Sequence, residues 1–422
     1  MGERMRARRW WPGVWIALCL VTPSESHAQG EALLWGTVRT TDGTTYEGFL
    51  RWDRNEAAWA DALHGQKEVD RALLDRMAET LGDDLDVRGR SVEYLGVRIS
   101  WEDDGDAEGS QASVRFGHLS WLERASDVSV RLGLKSGEEI ELRSRSTDLG
   151  TALREFVVHD RRAGPTELSW AELDRIDFAA APAGVTPLAS RLYGTLEDRW
   201  GGRWTGYISW DLDEALSTDI LDGEEDGRDR EYAFDRIRAI ERRIAGGARV
   251  TLDDGSERVL EGTNDVDAGH RGVQVSDPQL GLIDVAWRDV LTVRFATPPA
   301  APGYHDFNGG RRLEGTVVTD DGDRWTGRVI WDADEAWSWE VLNGTDKGVD
   351  FEVELGLVAR IDRRSSRSAT VMLGDGREVV LSGSTDVGRD NRGIVIELDD
   401  GTIRIVEWDR FESLIFDGGE AR

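Results

Sequence analysis

The sequence predicts an all-β protein of three tandem repeats, each made of two small barrels, with a short helical insertion in the first repeat. Three observations carry this reading. One strand motif recurs at three places, one closing series ends each copy, and Pro/Ala/Gly-rich stretches separate the copies. Self-similarity at long period is the signature of a repeat architecture.

The motif opens each copy. Trp35-Gly36-Thr37-Val38 leads through Asp42-Gly43 to Tyr46-Glu47-Gly48-Phe49-Leu50-Arg51-Trp52-Asp53. Tyr193-Gly194-Thr195-Leu196 leads to Trp204-Thr205-Gly206-Tyr207-Ile208-Ser209-Trp210-Asp211. Glu314-Gly315-Thr316-Val317 leads through Asp321-Gly322 to Trp325-Thr326-Gly327-Arg328-Val329-Ile330-Trp331-Asp332. The closing series are Trp170, Leu173, Ile176 and Phe178; Trp287, Val290, Val293 and Phe295; and Trp408, Phe411, Leu414 and Phe416. The repeats therefore span 31–180, 189–297 and 310–418, joined by linkers at 181–188 and 298–309. An insertion near 69–109 lengthens the first repeat, and its Leu73, Leu74, Met77 and Leu81 fall at helical spacing.

Each copy repeats within itself. Phe116/Leu119/Leu122, Phe234/Ile237/Ile240 and Leu355/Val358/Ile361 echo the Trp-led closing series. A spacing of three suits one 3₁₀ turn feeding a last short strand. A half of about 50 residues with short strands and glycine turns has the size of a small closed barrel. The Asp-Gly turn, the Trp-x-Gly-x-apolar-x-Trp-Asp stretch and the turn-then-strand ending resemble SH3-like and Sm-like small β-barrels, loosely over each half. Sm-like proteins carry an Asn after the Asp, used for RNA; this chain has Glu56, Glu214 and Glu335 there.

Residues 1–28 read as a secretory signal peptide. Arg4, Arg6, Arg8 and Arg9 precede an apolar run from Trp10 to Val21, and Ser26-His27-Ala28 offers a cleavage site after Ala28. The expected location is periplasmic or secreted. Cys19, the only cysteine, lies in that segment, so the remainder has no thiol chemistry and no disulfide. No later stretch is continuously apolar over the roughly 20 residues a membrane helix needs. The formal charge is −30, and near −32 beyond Ala28, which repels nucleic acid and attracts cations and basic partners.

Strand parity places Trp204, Ile208 and Trp210, like Trp325, Val329 and Trp331, on the apolar face as core. The non-recurring Trp59, Trp101, Trp200, Trp337 and Trp339 are the ones expected at the surface, and Trp337 with Trp339 forms a candidate ligand platform. The acids after each Trp strand are candidate Ca²⁺ ligands: Asp53, Glu56 and Asp61; Asp211, Asp213, Glu214 and Asp219; Asp332, Asp334, Glu335 and Glu340. They lack the sixth-position glycine of an EF-hand, and a capping box or a solvated loop explains the same spacing. Asp148/Arg154, Asp265/Arg271 and Asp386/Arg392 share a separation of six. They read as loop-pinning ion pairs, or with Arg271 and Arg392 as ligand contacts. Residues 335–342 fit a strand by alternation and a helical turn by capping-box spacing.

The histidines are scattered, and no nucleophile, P-loop or dinucleotide motif is present. The expected function is thus an exported, non-enzymatic binding or structural module of the cell envelope, with an envelope protein or a glycan as partner. A glycan-binding protein using exposed aromatics is the alternative, and a secreted hydrolase a further one.

Overall fold

The structure, a computed structural model, describes residues 31–68, 70–81, 86–88, 91–94, 97–100, 110–144, 147–298 and 302–417. The expected signal peptide with its cut after Ala28, Cys19 and Trp101 lie outside the described residues. Among the described residues the fold is all-β, with antiparallel ladders throughout and one short helix.

Repeat 1 contributes β1 (Trp35–Thr40), β2 (Thr45–Trp52) and β3 (Ala62–Lys67). The insertion follows, with α1 (Arg71–Leu81) and a separate ladder of β4 (Asp86–Arg88), β5 (Ser91–Tyr94) and β6 (Val97–Ser100). The repeat resumes with β7 (Ser110–Arg115), β8 (Leu119–Arg124), β9 (Ser129–Leu134), β10 (Glu139–Arg143), β11 (Phe156–Asp160), β12 (Gly164–Leu168) and β13 (Leu173–Phe178). Repeat 2 holds β14 (Tyr193–Asp198), β15 (Arg203–Trp210), β16 (Ile220–Glu225), β17 (Arg228–Ala233), β18 (Ile237–Arg242), β19 (Ala248–Leu252), β20 (Glu257–Leu260), β21 (Val273–Asp277), β22 (Gly281–Val285) and β23 (Val290–Phe295). Repeat 3 holds β24 (Glu314–Thr319), β25 (Arg324–Ile330), β26 (Val341–Asp346), β27 (Val349–Glu354), β28 (Val358–Ser365), β29 (Ser368–Leu373), β30 (Glu378–Ser382), β31 (Ile394–Glu397), β32 (Ile403–Val406) and β33 (Phe411–Phe416).

The two halves of a repeat do not close separately, which corrects the expectation of two barrels. In repeat 1 the order is β12-β11-β2-β1-β13-β8-β9-β10-β3-β7. The first half's β2 pairs with β11 of the second half, and the second half's β10 pairs with β3 of the first. The halves have exchanged their third and fourth strands, while β13 bonds both β1 and β8. Repeat 3 follows the same scheme through β25–β31, β26–β30, β24–β33 and β28–β33, and repeat 2 follows it through β15–β21, β14–β23 and β18–β23, while its β16–β17 forms a separate ladder that meets β20 by an isolated bridge between Glu224 and Glu261. A sheet zipped this way stays open, because each half's outer strands are spent on the other half.

The expected 3₁₀ turns form at Phe116–His118, Phe234–Arg236, Trp287–Asp289 and Leu355–Leu357. Trp170 and Trp408 sit in ordinary turns instead. Trp52, Trp210 and Trp331 are buried at the centre of each repeat. Each indole N–H donates to a backbone carbonyl, of Asp148 (2.8 Å), Asp265 (2.9 Å) and Asp386 (3.1 Å), as a buried indole requires.

The repeats are packed against one another. β22 pairs with β27, with Ile283 opposite Phe351 and Val285 opposite Val349, so repeats 2 and 3 share one sheet and one core. Gly281 makes this pairing possible: its φ is +140°, and a Cβ would stand 1.9 Å from the Glu352 carbonyl oxygen. The helix of the insertion forms as its spacing predicts. Asp70 accepts the N–H of Ala72 at 3.0 Å, and Leu73 and Met77 pack on Ala333, Val395 and Ile403 of repeat 3. The second linker is not a free spacer. Lys135 Nζ lies 3.3 Å from the Tyr304 ring centroid, and Gly309, at φ +83°, threads past Ser136 where any Cβ would collide. Among the described residues no helix is long and apolar enough to cross a membrane.

Candidate functional site

The Trp-Asp loop is a tight hairpin in all three repeats. Trp52, Trp210 and Trp331 bridge to Glu56, Glu214 and Glu335. Two left-handed residues make each turn: Asp53 and Arg54, Asp211 and Leu212, Asp332 and Ala333. Asp tolerates that conformation because its short side chain bonds locally. Here the carboxylates of Asp53, Asp211 and Asp332 accept the backbone N–H of Arg154, Arg271 and Arg392. The same arginines reach those carboxylates with their guanidiniums at 2.9, 3.3 and 2.8 Å. They also touch Asp213, Asp213 and Asp334 at 3.2, 3.3 and 3.4 Å.

The recurring arginines therefore pair with the hairpin aspartate, not with the aspartate six residues before them. Asp148, Asp265 and Asp386 instead receive the backbone N–H of His64, Asp222 and Asn343 at 3.1, 2.7 and 2.6 Å. Arg392 is largely buried by its pairs, whereas Arg271 is 41 % exposed.

The last acid of each cluster caps the next turn. Asp61, Asp219 and Glu340 each accept two successive backbone N–H groups, of Ala57 and Ala58, Ala215 and Leu216, and Ala336 and Trp337. This resolves residues 335–342: a capped turn precedes β26, with neither helix nor continuous strand. Each cap also binds a base from another repeat. Arg191 holds Asp61 at 3.0 Å, Arg51 holds Asp219 at 2.9 Å, and Lys67 holds Glu340.

The middle acid is the odd member. Glu56 and Glu335 are buried, and an oxygen of Glu56, Glu214 and Glu335 lacks a hydrogen-bond partner in every repeat. Burial, reinforced by Asp265, pushes Glu214 up to about 9. Burial and the facing Asp148 and Asp386 raise Glu56 and Glu335 well above the usual carboxylate range. Asp265 and Asp386 rise to about 6 and about 7, for the same first reason. Each of these glutamates thus stands beside a second carboxyl, where burial and like charge both favour its protonated form. Among the described residues no three His, Cys, Asp or Glu groups converge as metal ligands would. Six of the eight candidate carboxylates, all but Glu214 and Glu335, are directed at arginines, lysine and backbone N–H groups.

The aromatic candidates also move inward. Trp339 is 2 % exposed and belongs to the core of repeat 1, and Trp59 is likewise buried, against Tyr304 and Phe178. Inter-repeat packing, invisible to strand parity, covers both. Trp337 is half-buried, with the Arg312 guanidinium 4.3 Å from its ring centroid. Trp200 remains at the surface, 37 % exposed.

The polar groups that do converge come from different repeats. The hairpin β3–β7 of repeat 1 lies over the β22–β27 seam. His118 accepts Gly309 N–H at Nδ1 (3.2 Å), which leaves Nε2 to donate to Glu354 Oε1 (3.2 Å). Arg115 Nε meets Glu354 Oε2 at 3.2 Å, and its guanidinium donates to the Asp277 carbonyl at 3.1 Å. These residues line a cleft of about 1040 Å³, with Tyr193, Asp277 and Gln279 from repeat 2 and Arg377 from repeat 3. Further along the seam, His64 Nδ1 stands 2.8 Å from Asp148 Oδ2 and Nε2 stands 3.3 Å from Glu352 Oε2. Burial opposes a charge on this ring, but Glu352 and Asp148 outweigh it and hold His64 well above its usual range. Burial and Glu352 push Asp284, on β22, up to about 7. Sequence reading missed His64, Arg115, His118, Glu352 and Glu354: of these only Glu352 recurs, as Glu231 of repeat 2.

Comparison of the chain with protein-family models, with curated proteins and with solved structures gave no match.

Proposed function

We propose that this protein is an exported, non-enzymatic binding module of the cell envelope, with the cleft where its three repeats meet as the binding surface. The observation that carries this is the cleft itself. It is the size of a ligand site, and side chains of all three repeats line it. The recurring acids and arginines, in contrast, are consumed by internal pairs, a structural use. Leader-like residues 1–28 support export. The strand order β12-β11-β2-β1-β13 supports descent from a five-stranded, small-barrel unit that was duplicated and then exchanged strands.

The test is a photo-crosslinking residue at Gln279, in the cleft, against one at the fully exposed Ile244. In envelope extracts the cleft position should give a discrete adduct and Ile244 none. Equal labelling, or none at Gln279, overturns the assignment. A glycan in the same cleft is the second reading, favoured by the half-exposed ring of Tyr193 on its wall. Digestion of the adduct with protease or glycosidase separates the two.

A further inference from the structure

We infer that one end of repeat 2 is a docking surface for an anionic phospholipid bilayer, with Trp200, Ile244 and Leu291 entering the headgroup layer and the arginines around them meeting its phosphates. Three of the six exposed large apolar side chains among the described residues lie at this end. β23 runs between β14 and β18, and its first residues stand between two hairpin tips, 199–202 and 243–247. Hydrogen bonds tie these loops together. Arg199 N–H donates to the Asp289 carbonyl at 2.9 Å, and the Arg242 guanidinium donates to the carbonyls of Val290 (3.0 Å) and Arg288 (2.9 Å). The backbone thus sets Leu291 between Trp200 on one tip and Ile244 on the other.

The sister repeats show that folding does not call for these side chains. At equal offsets from the glycine of the opening motif stand Asp42, Trp200 and Asp321. At equal offsets from the first-half closing series stand Ser126, Ile244 and Ser365, and from the second-half series Asp174, Leu291 and Glu412. Repeats 1 and 3 are polar at all three positions, and repeat 2 is apolar at all three. Ile244 is 97 % exposed, so it adds nothing to the core of its own chain. Exposed apolar side chains gathered in this way mark an interface with a protein or a membrane.

Charge and shape select the bilayer. Arg199 and Arg288 pair with Asp289 at 3.2 and 3.5 Å, and Asp289 is buried beneath them while Arg288 is 79 % exposed. The cations face outward and their acid faces inward. Arg242 is held by carbonyls; Glu261 stands 3.8 Å from Arg243, and Asp267 stands beside Gly246 at the rim. Four guanidiniums against three acids, one of them buried, leave the outer layer cationic. The chain as a whole is strongly acidic, but charges are screened beyond about 8 Å at physiological salt, so a headgroup meets this patch rather than the net charge. A guanidinium binds phosphate through paired N–H groups, and Trp favours the headgroup level of a bilayer. Three apolar side chains on three separate elements would each need a matched hole in a rigid partner, whereas a fluid layer adapts to all of them. Docking of this kind draws on buried apolar area and on attraction to anionic lipid together.

Flotation with phospholipid vesicles tests this. The chain from Gln29 onward is used, because it holds every described element and lacks the apolar leader, which would itself bind lipid. It should float with mixed phosphatidylcholine–phosphatidylglycerol vesicles and far less with phosphatidylcholine alone. Ile244→Asp should lower the partition coefficient about tenfold or more with the melting temperature unchanged, the scale set by taking one such side chain out of water. Val128→Asp, the same kind of change at the matching hairpin tip of repeat 1, should leave partition unchanged. A bilayer leaves no protein or glycan fragment on Ile244, so crosslinking at Gln279 still reads the large cleft by itself. Equal flotation on the two vesicles, no flotation, or unchanged flotation of Ile244→Asp each overturn the assignment. Concentration-dependent dimerisation that Ile244→Asp abolishes also overturns it, and puts a second copy of the chain on this surface instead.

Discussion

Replacing Glu214 by Gln should stabilise the protein at neutral pH and leave it unchanged or weaker in acid. Glu214 is held up to about 9 by burial and the neighbouring Asp265, and one of its oxygens has no partner. A carboxyl raised in the folded state contributes its full stability below the unfolded value, near 4.5, and loses it as pH rises towards 9. Between pH 4.5 and 7 the unfolded chain releases the proton and the folded chain keeps it. At about 1.4 kcal/mol per pH unit this opposes folding by about 3 kcal/mol at pH 7. Gln mimics the neutral acid and removes that opposition. Imperfect replacement of its O–H and partial solvent screening reduce the net gain to about 1–3 kcal/mol. For a chain of this length unfolding as one unit, that is a rise of about 1–4 °C in Tm. Scanning calorimetry of both proteins from pH 4 to 8 gives the assay. The difference should grow with pH. Curves that run parallel across that range would refute the idea of a protonated Glu214.

Arg191→Leu should cost about 3–5 kcal/mol, because it strands the buried Asp61 carboxylate, and urea denaturation would show the loss. A cost below about 1 kcal/mol would mean that the pair is not buried in solution. Gly281→Ala should destabilise the seam between repeats 2 and 3 by about 2–4 kcal/mol, since its Cβ meets the Glu352 carbonyl; faster hydrogen exchange in 281–285 and 349–353 is the readout, and unchanged protection contradicts it. Millimolar Ca²⁺ and NaCl of matched ionic strength should raise Tm equally, because the acidic hairpins hold arginines and backbone N–H groups; an extra Ca²⁺ shift that disappears in Asp332→Asn/Glu335→Gln would establish a cation site instead.

The all-β class, the buried Trp52, Trp210 and Trp331 and the helix at Arg71–Leu81 were legible in the sequence. Each rests on local periodicity: alternation in a strand and a spacing of three to four in a helix, which the chain must obey wherever it folds. Strand exchange between halves was not legible. β2 meets β11 rather than β3, and both pairings bury the same apolar faces, so the hydrophobic pattern does not distinguish them. The arginine partners were misread for a related reason. Arg154 lies six residues from Asp148, yet its guanidinium reaches Asp53, a hundred residues away along the chain, because the ladder brings the two loops together. Trp59 and Trp339 looked like surface residues for want of a repeat to cover them, and only the docking of repeats buries them. The seam with His64, Arg115, His118, Glu352 and Glu354 owes nothing to any motif. Local periodicity determines what each repeat is; the contacts between repeats, made by residues that differ from copy to copy, decide where a ligand could bind.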